Sequence, residues 1–172
     1  TKKFLKNPSF IKAKELKESI STLEFMAVPH GSDAVDVEKN LRDLLSLEYV
    51  SFIGLSKTSA RLDLRKKLTK IAKDEGRRVH FLGVWSNPIE EVLEGKELDI
   101  IGLDTKYPAK LGVLGRSLLE YFPTPPGLDF TLSEKNYSKE WLKRQLEAFV
   151  WLAESNCSSE EELVREYENG RF

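Results

Sequence analysis

Asp104 is the residue whose type and place most suggest chemistry. It closes the apolar run Leu98-Asp99-Ile100-Ile101-Gly102-Leu103 and precedes a stretch punctuated by Pro108 and Gly112. A run of that length reads as a buried strand, so Asp104 is expected at the strand's carboxyl end with a loop shaping a pocket over it. Parallel α/β folds place their chemistry at that edge, because the strand fixes the side chain while the loop encloses it. The same carboxylate could also cap the next helix or make an Asx turn with Lys106. Three earlier apolar runs end in a comparable way, at Pro29-His30-Gly31, at Ile53-Gly54-Leu55-Ser56 and at Leu82-Gly83-Val84-Trp85.

The elements that must position these ends alternate helix and strand. From Ser9 to about Thr22, Phe10, Ala13, Leu16 and Ile20 fall on one helical face. Leu23 to Val28 reads as a strand, and Asp33 or Ser32 can cap a second helix that turns Val37, Leu41, Leu44 and Leu45 to the core. Tyr49 to Leu55 is a second strand. A third helix, Ala60 to Glu75, carries Leu64, Leu68, Ile71 and Ala72 inward and stops at Gly76. Arg78 to Val84 is a third strand, Asn87 and Pro88 start a short helix ending near Gly95, and the run up to Leu103 is the fourth strand. Such βα units with helical crossovers require parallel strands, which leaves a doubly wound sheet or half of a (β/α)8 barrel. No Gly-x-Gly-x-x-Gly follows a strand, which lowers the dinucleotide-binding alternative.

The proline cluster of Tyr121-Phe122-Pro123-Thr124-Pro125-Pro126-Gly127 marks a boundary. Residues 1–122 are therefore expected to form the α/β part and 123–172 a C-terminal helical extension. Two helices are expected there, about Ser138 to Glu154 and Ser158 to Glu168. Trp141, Leu142, Leu146, Phe149, Val150 and Leu152 form the apolar stripe of the first, read as packing rather than function.

Composition narrows the function classes. The 172 residues carry 27 Lys and Arg against 28 Asp and Glu, so a polyanion must be held by a local patch rather than a global basic field. A single cysteine, Cys157, excludes a disulfide framework and a Cys-rich zinc cluster and fits a reducing compartment. No apolar run approaches a membrane span, and no signal-like segment follows the basic N-terminus, so a cytoplasmic protein with no membrane partner is expected. The chain begins at Thr1, and sequence before it is allowed for. The run Lys66, Lys67, Lys70, Lys73, Arg77 and Arg78 spreads over several faces and reads as a solvated surface. His80 lies mid-strand and reads as a core or interface residue.

Taken together, the four strand ends resemble the second half of the barrel in the tRNA-guanine transglycosylase superfamily, including its DNA-modifying branch that inserts 7-deazaguanines. The resemblance covers roughly Leu23 to Gly115 and is strongest over His80 to Gly115. There Val79-His80-Phe81-Leu82-Gly83-Val84, Pro88, Leu98-Asp99-Ile100-Ile101, Asp104, Pro108 and Gly112 look like the family's last two βα units. The resemblance implies a parallel TIM-barrel-type α/β fold of four βα units followed by the helical segment. It implies that Asp104 is the nucleophile, and that His30-Gly31, with histidine for the family's glutamine, Gly54-Leu55 and Gly83-Val84 meet the base.

Base exchange at C1′ passes through an oxocarbenium-like centre, which a carboxylate opposite the leaving base stabilises and then bonds. Glycines allow backbone groups close to the base edge. His30 could pair with the purine edge or simply satisfy a turn. Phosphates need cations, and Lys57, Arg61, Lys106, Lys110 and Arg116 all follow strand ends. With only Cys157 present, the zinc-supported tRNA-binding subdomain of the family is not expected, which favours DNA over tRNA as the substrate. The family's second catalytic aspartate and its stacking aromatic lie in the first half of the barrel. A preceding segment or a second chain is therefore expected to supply them, with a 7-deazaguanine base as the small partner and no cofactor or metal. Two other readings stand beside this one: a non-catalytic nucleic-acid-binding or assembly subunit, and an unrelated parallel α/β enzyme acting on a small phosphorylated molecule.

Overall fold

The computed structural model describes residues 7–57, 62–84, 88–114 and 139–169. In chain order the elements are α1 (Pro8–Ser19), β1 (Phe25–Ala27), α2 (Ala34–Leu45), β2 (Val50–Ser56), α3 (Leu62–Asp74), β3 (Arg78–Leu82), α4 (Pro88–Glu97), β4 (Gly102–Asp104), α5 (Tyr107–Leu114), α6 (Lys139–Glu154) and α7 (Glu160–Glu168). The fold is α/β, and its four strands form one parallel sheet in the order β1-β2-β3-β4. The expected boundary after Phe122 lies outside the described residues. Two compact units are found, Thr1–Leu82 with Ile100–Gly102, and Gly83–Asp99 with Leu103–Phe172.

In the first unit, strand alternation sorts the sheet into two faces. Ile53 pairs with Ala27 and Val79, and Leu55 with Phe81. All five are buried, each of the larger ones contributing roughly 1.5–3 kcal/mol. That face meets α3, whose Arg65 guanidinium stands 4.9 Å from the Phe81 ring centroid and whose Leu68 and Ala72 are fully buried. On α2 the buried residues are Val37, Leu41, Leu44 and Leu45, as the 3.6-residue spacing predicts. Asp33 caps this helix by accepting from the Asp36 amide. Gly76, at φ +70°, ends α3: its amide donates to the Lys73 carbonyl, and the Arg77 amide reaches back to that of Ala72 at 2.9 Å. The opposite face of the strands carries Met26, Phe52, Arg78, His80 and Leu82, all half-buried or exposed. On α1, Phe10, Ala13 and Leu16 are only half-buried, and the expected fourth member, Ile20, is the C-cap.

The second unit is a helix cluster. Ile89 and Val92 of α4, Tyr107 and Leu111 of α5, Ala148 and Leu152 of α6, Cys157, and Leu163 of α7 are buried together. Lys96 secures the end of α6, donating to the Ser155 carbonyl at 2.7 Å and its hydroxyl at 3.0 Å. Burial holds the pKa of Lys96 below the usual lysine range.

Four expectations are corrected. The fourth strand covers only Gly102–Asp104 rather than the whole apolar run. The Leu98 amide donates to Glu94 and the Asp99 amide to Lys96, so α4 continues past Gly95 until Asp99, at φ 49°, turns the chain. Pairing with β3 begins with the Ile101 amide on the Val79 carbonyl at 2.8 Å. The stretch from Tyr107 is a helix rather than a loop, because Pro108 sits in the first turn, where its missing N–H has no helical partner to lose. On α6 the buried residues are Gln145, Ala148 and Leu152, while Leu146 and Val150 are exposed.

Candidate functional site

Asp104 is the last residue of β4 and its side chain is exposed. Its carbonyl accepts the Gly83 amide at 3.1 Å, which ties the turn after β3 to the end of β4. Gly83 has φ +78°, a left-handed conformation that favours glycine. The Gly83 N–H, expected to meet a base, is thus used within the fold. The adjoining Val84 side chain is buried. Thr105 takes the capping role at the start of α5, its hydroxyl accepting from the Tyr107 amide at 3.1 Å. Lys106 is exposed between β4 and α5, and Lys110 lies on α5. The second unit therefore brings Gly83, Val84, Asp104 and Lys106 into one short region of chain.

The remaining expected residues belong to the first unit. His30 is exposed, and its amide donates to the Asn40 side chain at 3.1 Å. Gly31 lies flat on the first turn of α2: a Cβ there would come within 2.5 Å of the Val37 nitrogen. The Ser32 hydroxyl reaches the Asp36 carboxylate at 2.6 Å, so the loop carrying His30 is held on both sides. Gly54 is equally crowded, since its Cβ would meet Leu82 at 2.8 Å and Met26 at 3.0 Å. Leu55 is 1% exposed and packs in the core, so only its backbone could serve a ligand. Lys57 follows β2 and is half-buried, its amide on the Leu82 carbonyl at 3.0 Å. Arg61 and Arg116 lie outside the described residues.

Sequence reasoning passed over Arg65, which is 1% exposed and donates to the Leu82 carbonyl at 3.1 Å while covering Phe81. The signal was available: Arg65 shares the helical stripe of Leu68 and Ala72. The basic run around it is drawn into the fold more than expected. Lys67 pairs with Glu38 at 2.6 Å, Arg77 donates to the Leu45 carbonyl at 3.2 Å, and Arg78 pairs with Glu24 while lying 3.8 Å over the Phe52 ring. The Lys67 hydrogen bond, then that from Arg42, holds the Glu38 carboxyl below the usual range. Among the described residues no three His, Cys, Asp or Glu side chains gather as a metal site requires. No described helix is long and apolar enough to cross a membrane.

No family model, no curated protein and no solved structure matches this chain. The class that its own geometry defines is a parallel α/β protein whose strands follow one another in chain order.

Proposed function

We propose that the chain is half of a (β/α) barrel acting as a nucleic-acid base transglycosylase that exchanges guanine for a 7-deazaguanine in DNA. Strand order supports the barrel half: doubly wound sheets reverse their order, whereas barrel strands run in sequence. The observation that carries the activity is the exposed Asp104 carboxylate at the carboxyl end of β4. In the proposed reaction Asp104 attacks C1′, an ester bond forms, and the C1′–N9 bond breaks as guanine leaves and takes up a proton. The incoming deazaguanine then loses its N9 proton, forms the new glycosidic bond and releases the carboxylate. Lys106, exposed just beyond Asp104, would meet a flanking phosphate. The acid that assists the leaving base would come from the other half of the barrel.

A second reading, a non-catalytic nucleic-acid-binding or assembly subunit, draws on the glycines. Gly31 and Gly54 are required by packing and Gly83 by its backbone angle, so none of them needs a base to explain it.

One experiment separates the two. The full-length protein, with any subunit that copurifies, is incubated with guanine-containing DNA or tRNA and a labelled 7-deazaguanine, and adducts are trapped on denaturing gels. Asp104→Asn should keep nucleic-acid binding and lose incorporation by several orders of magnitude. Wild-type incorporation by the Asn variant removes Asp104 from the chemistry. Binding without incorporation by the wild type favours the non-catalytic subunit.

A further inference from the structure

Helix α6 has an apolar row beyond the one it buries. Gln145, Ala148 and Leu152 face the helix cluster, yet Leu146 and Val150, four residues apart, stand 47% and 52% exposed. Half-buried Leu142 and Phe149 and exposed Ala153 extend this second row. At 100° per residue the row spans roughly 100° of arc, centred about 120° from the buried stripe. A contiguous apolar row with large side chains at i and i+4 is what a helix presents to another helix.

The charges beside the row select the occupant. Lys139 and Lys143 flank its first half and Glu147 and Glu154 its second, all exposed, with Lys143 and Glu147 3.6 Å apart. A second α6 laid parallel would set lysine against lysine and glutamate against glutamate. Laid antiparallel, it meets opposite charge along its whole length, the self-complementarity that a two-fold contact requires.

We propose that two copies of this chain associate through antiparallel α6 helices, Leu146 of one copy lying over Val150 of the other. The two-fold axis then passes beside Ala148, and Lys143 of each copy comes alongside Ala153 and Glu154 of the other. A single helix seam buries less than the roughly 1,200 Å² of a standard interface, so the association is expected to be weak, on the order of 10–100 μM.

Sedimentation equilibrium of the full chain across about 10 μM to 1 mM should show the mass rising from monomer towards dimer. Leu146→Glu should weaken association at least about tenfold with an unchanged circular dichroism spectrum, since the side chain is exposed. Orientation is read by mixing chains carrying Leu146→Cys with chains carrying Val150→Cys under oxidising conditions. The mixed disulfide should dominate, because like positions are offset by about 6 Å along the seam. The native Cys157 is 3% exposed and does not compete. Monomer throughout the range, unaltered association of Leu146→Glu, or a predominance of like-position disulfides would each overturn the proposal. The first of these would leave the row to a different protein.

Discussion

Phe81 and Leu152 are both fully buried, yet they reach their cores by different routes. Phe81 belongs to a strand, where alternation assigns each residue to one of two faces and neighbouring strands hold the register. Leu152 belongs to a helix, where burial depends on which arc the neighbouring helices cover. The sheet unit consequently has glycines wedged at fixed places, Gly31 on α2 and Gly54 between strands. The helix unit meets its neighbours with small residues such as Ala148 and Cys157 and leaves apolar side chains outside. The difference teaches where function is separable from folding. At the ends of β1 and β2 the expected binding residues also carry the fold, whereas the exposed Asp104 side chain is not part of either core.

The largest effect should come from emptying the two cores. Phe81→Ala is expected to cost about 3–5 kcal/mol and Leu152→Ala about 2–5 kcal/mol in urea unfolding, followed by circular dichroism and by Trp141 and Trp151 fluorescence. A loss under about 1 kcal/mol at either position would break the assignment of that residue to its core.

Next come the glycines. Gly31→Ala forces a Cβ against α2 backbone and should cost roughly 1–3 kcal/mol. Gly76→Ala has open space around the Cβ but a left-handed φ of +70°, so about 1 kcal/mol is expected. Equal losses would mean that backbone angle, not crowding, governs the Gly31 position.

Asp104→Asn should alter unfolding free energy by less than about 0.5 kcal/mol, measured in the same urea series. A larger loss would give Asp104 a folding role and erase the contrast with the glycines.

The smallest effect is in acid. The Glu38 pKa is lowered by folding, so its contribution is present above the ordinary value of 4.5 and is lost as pH falls through the folded value. The unfolded chain binds the proton first on the way down, so stability falls with pH in that window. Glu38→Gln should flatten this part of the pH–stability curve, and an unchanged slope would show that the Lys67 and Arg42 contacts contribute nothing in solution.

Much of this fold was determined by the sequence on its own, because the deciding interactions are local. The Asp33 cap, the Gly76 stop, the buried stripe of α2 and the βα alternation all follow from side chains acting within a turn or two of their own position. Tertiary structure decided the rest. Leu98 and Asp99 are as apolar and as strand-like in context as the residues after them, but the α4 hydrogen bonds claim them. On α6 nearly every face carries an apolar residue, so periodicity admits several stripes, and only the positions of the other helices put Gln145 inside and Leu146 outside. The candidate site divides the same way. Asp104 at a strand end was legible from a run that stops, whereas the use of the Gly83 amide, the crowding of Gly54 and the burial of Arg65 depend on segments distant in sequence. A local pattern says that a residue has a face; what that face meets is set by chain that the pattern does not contain.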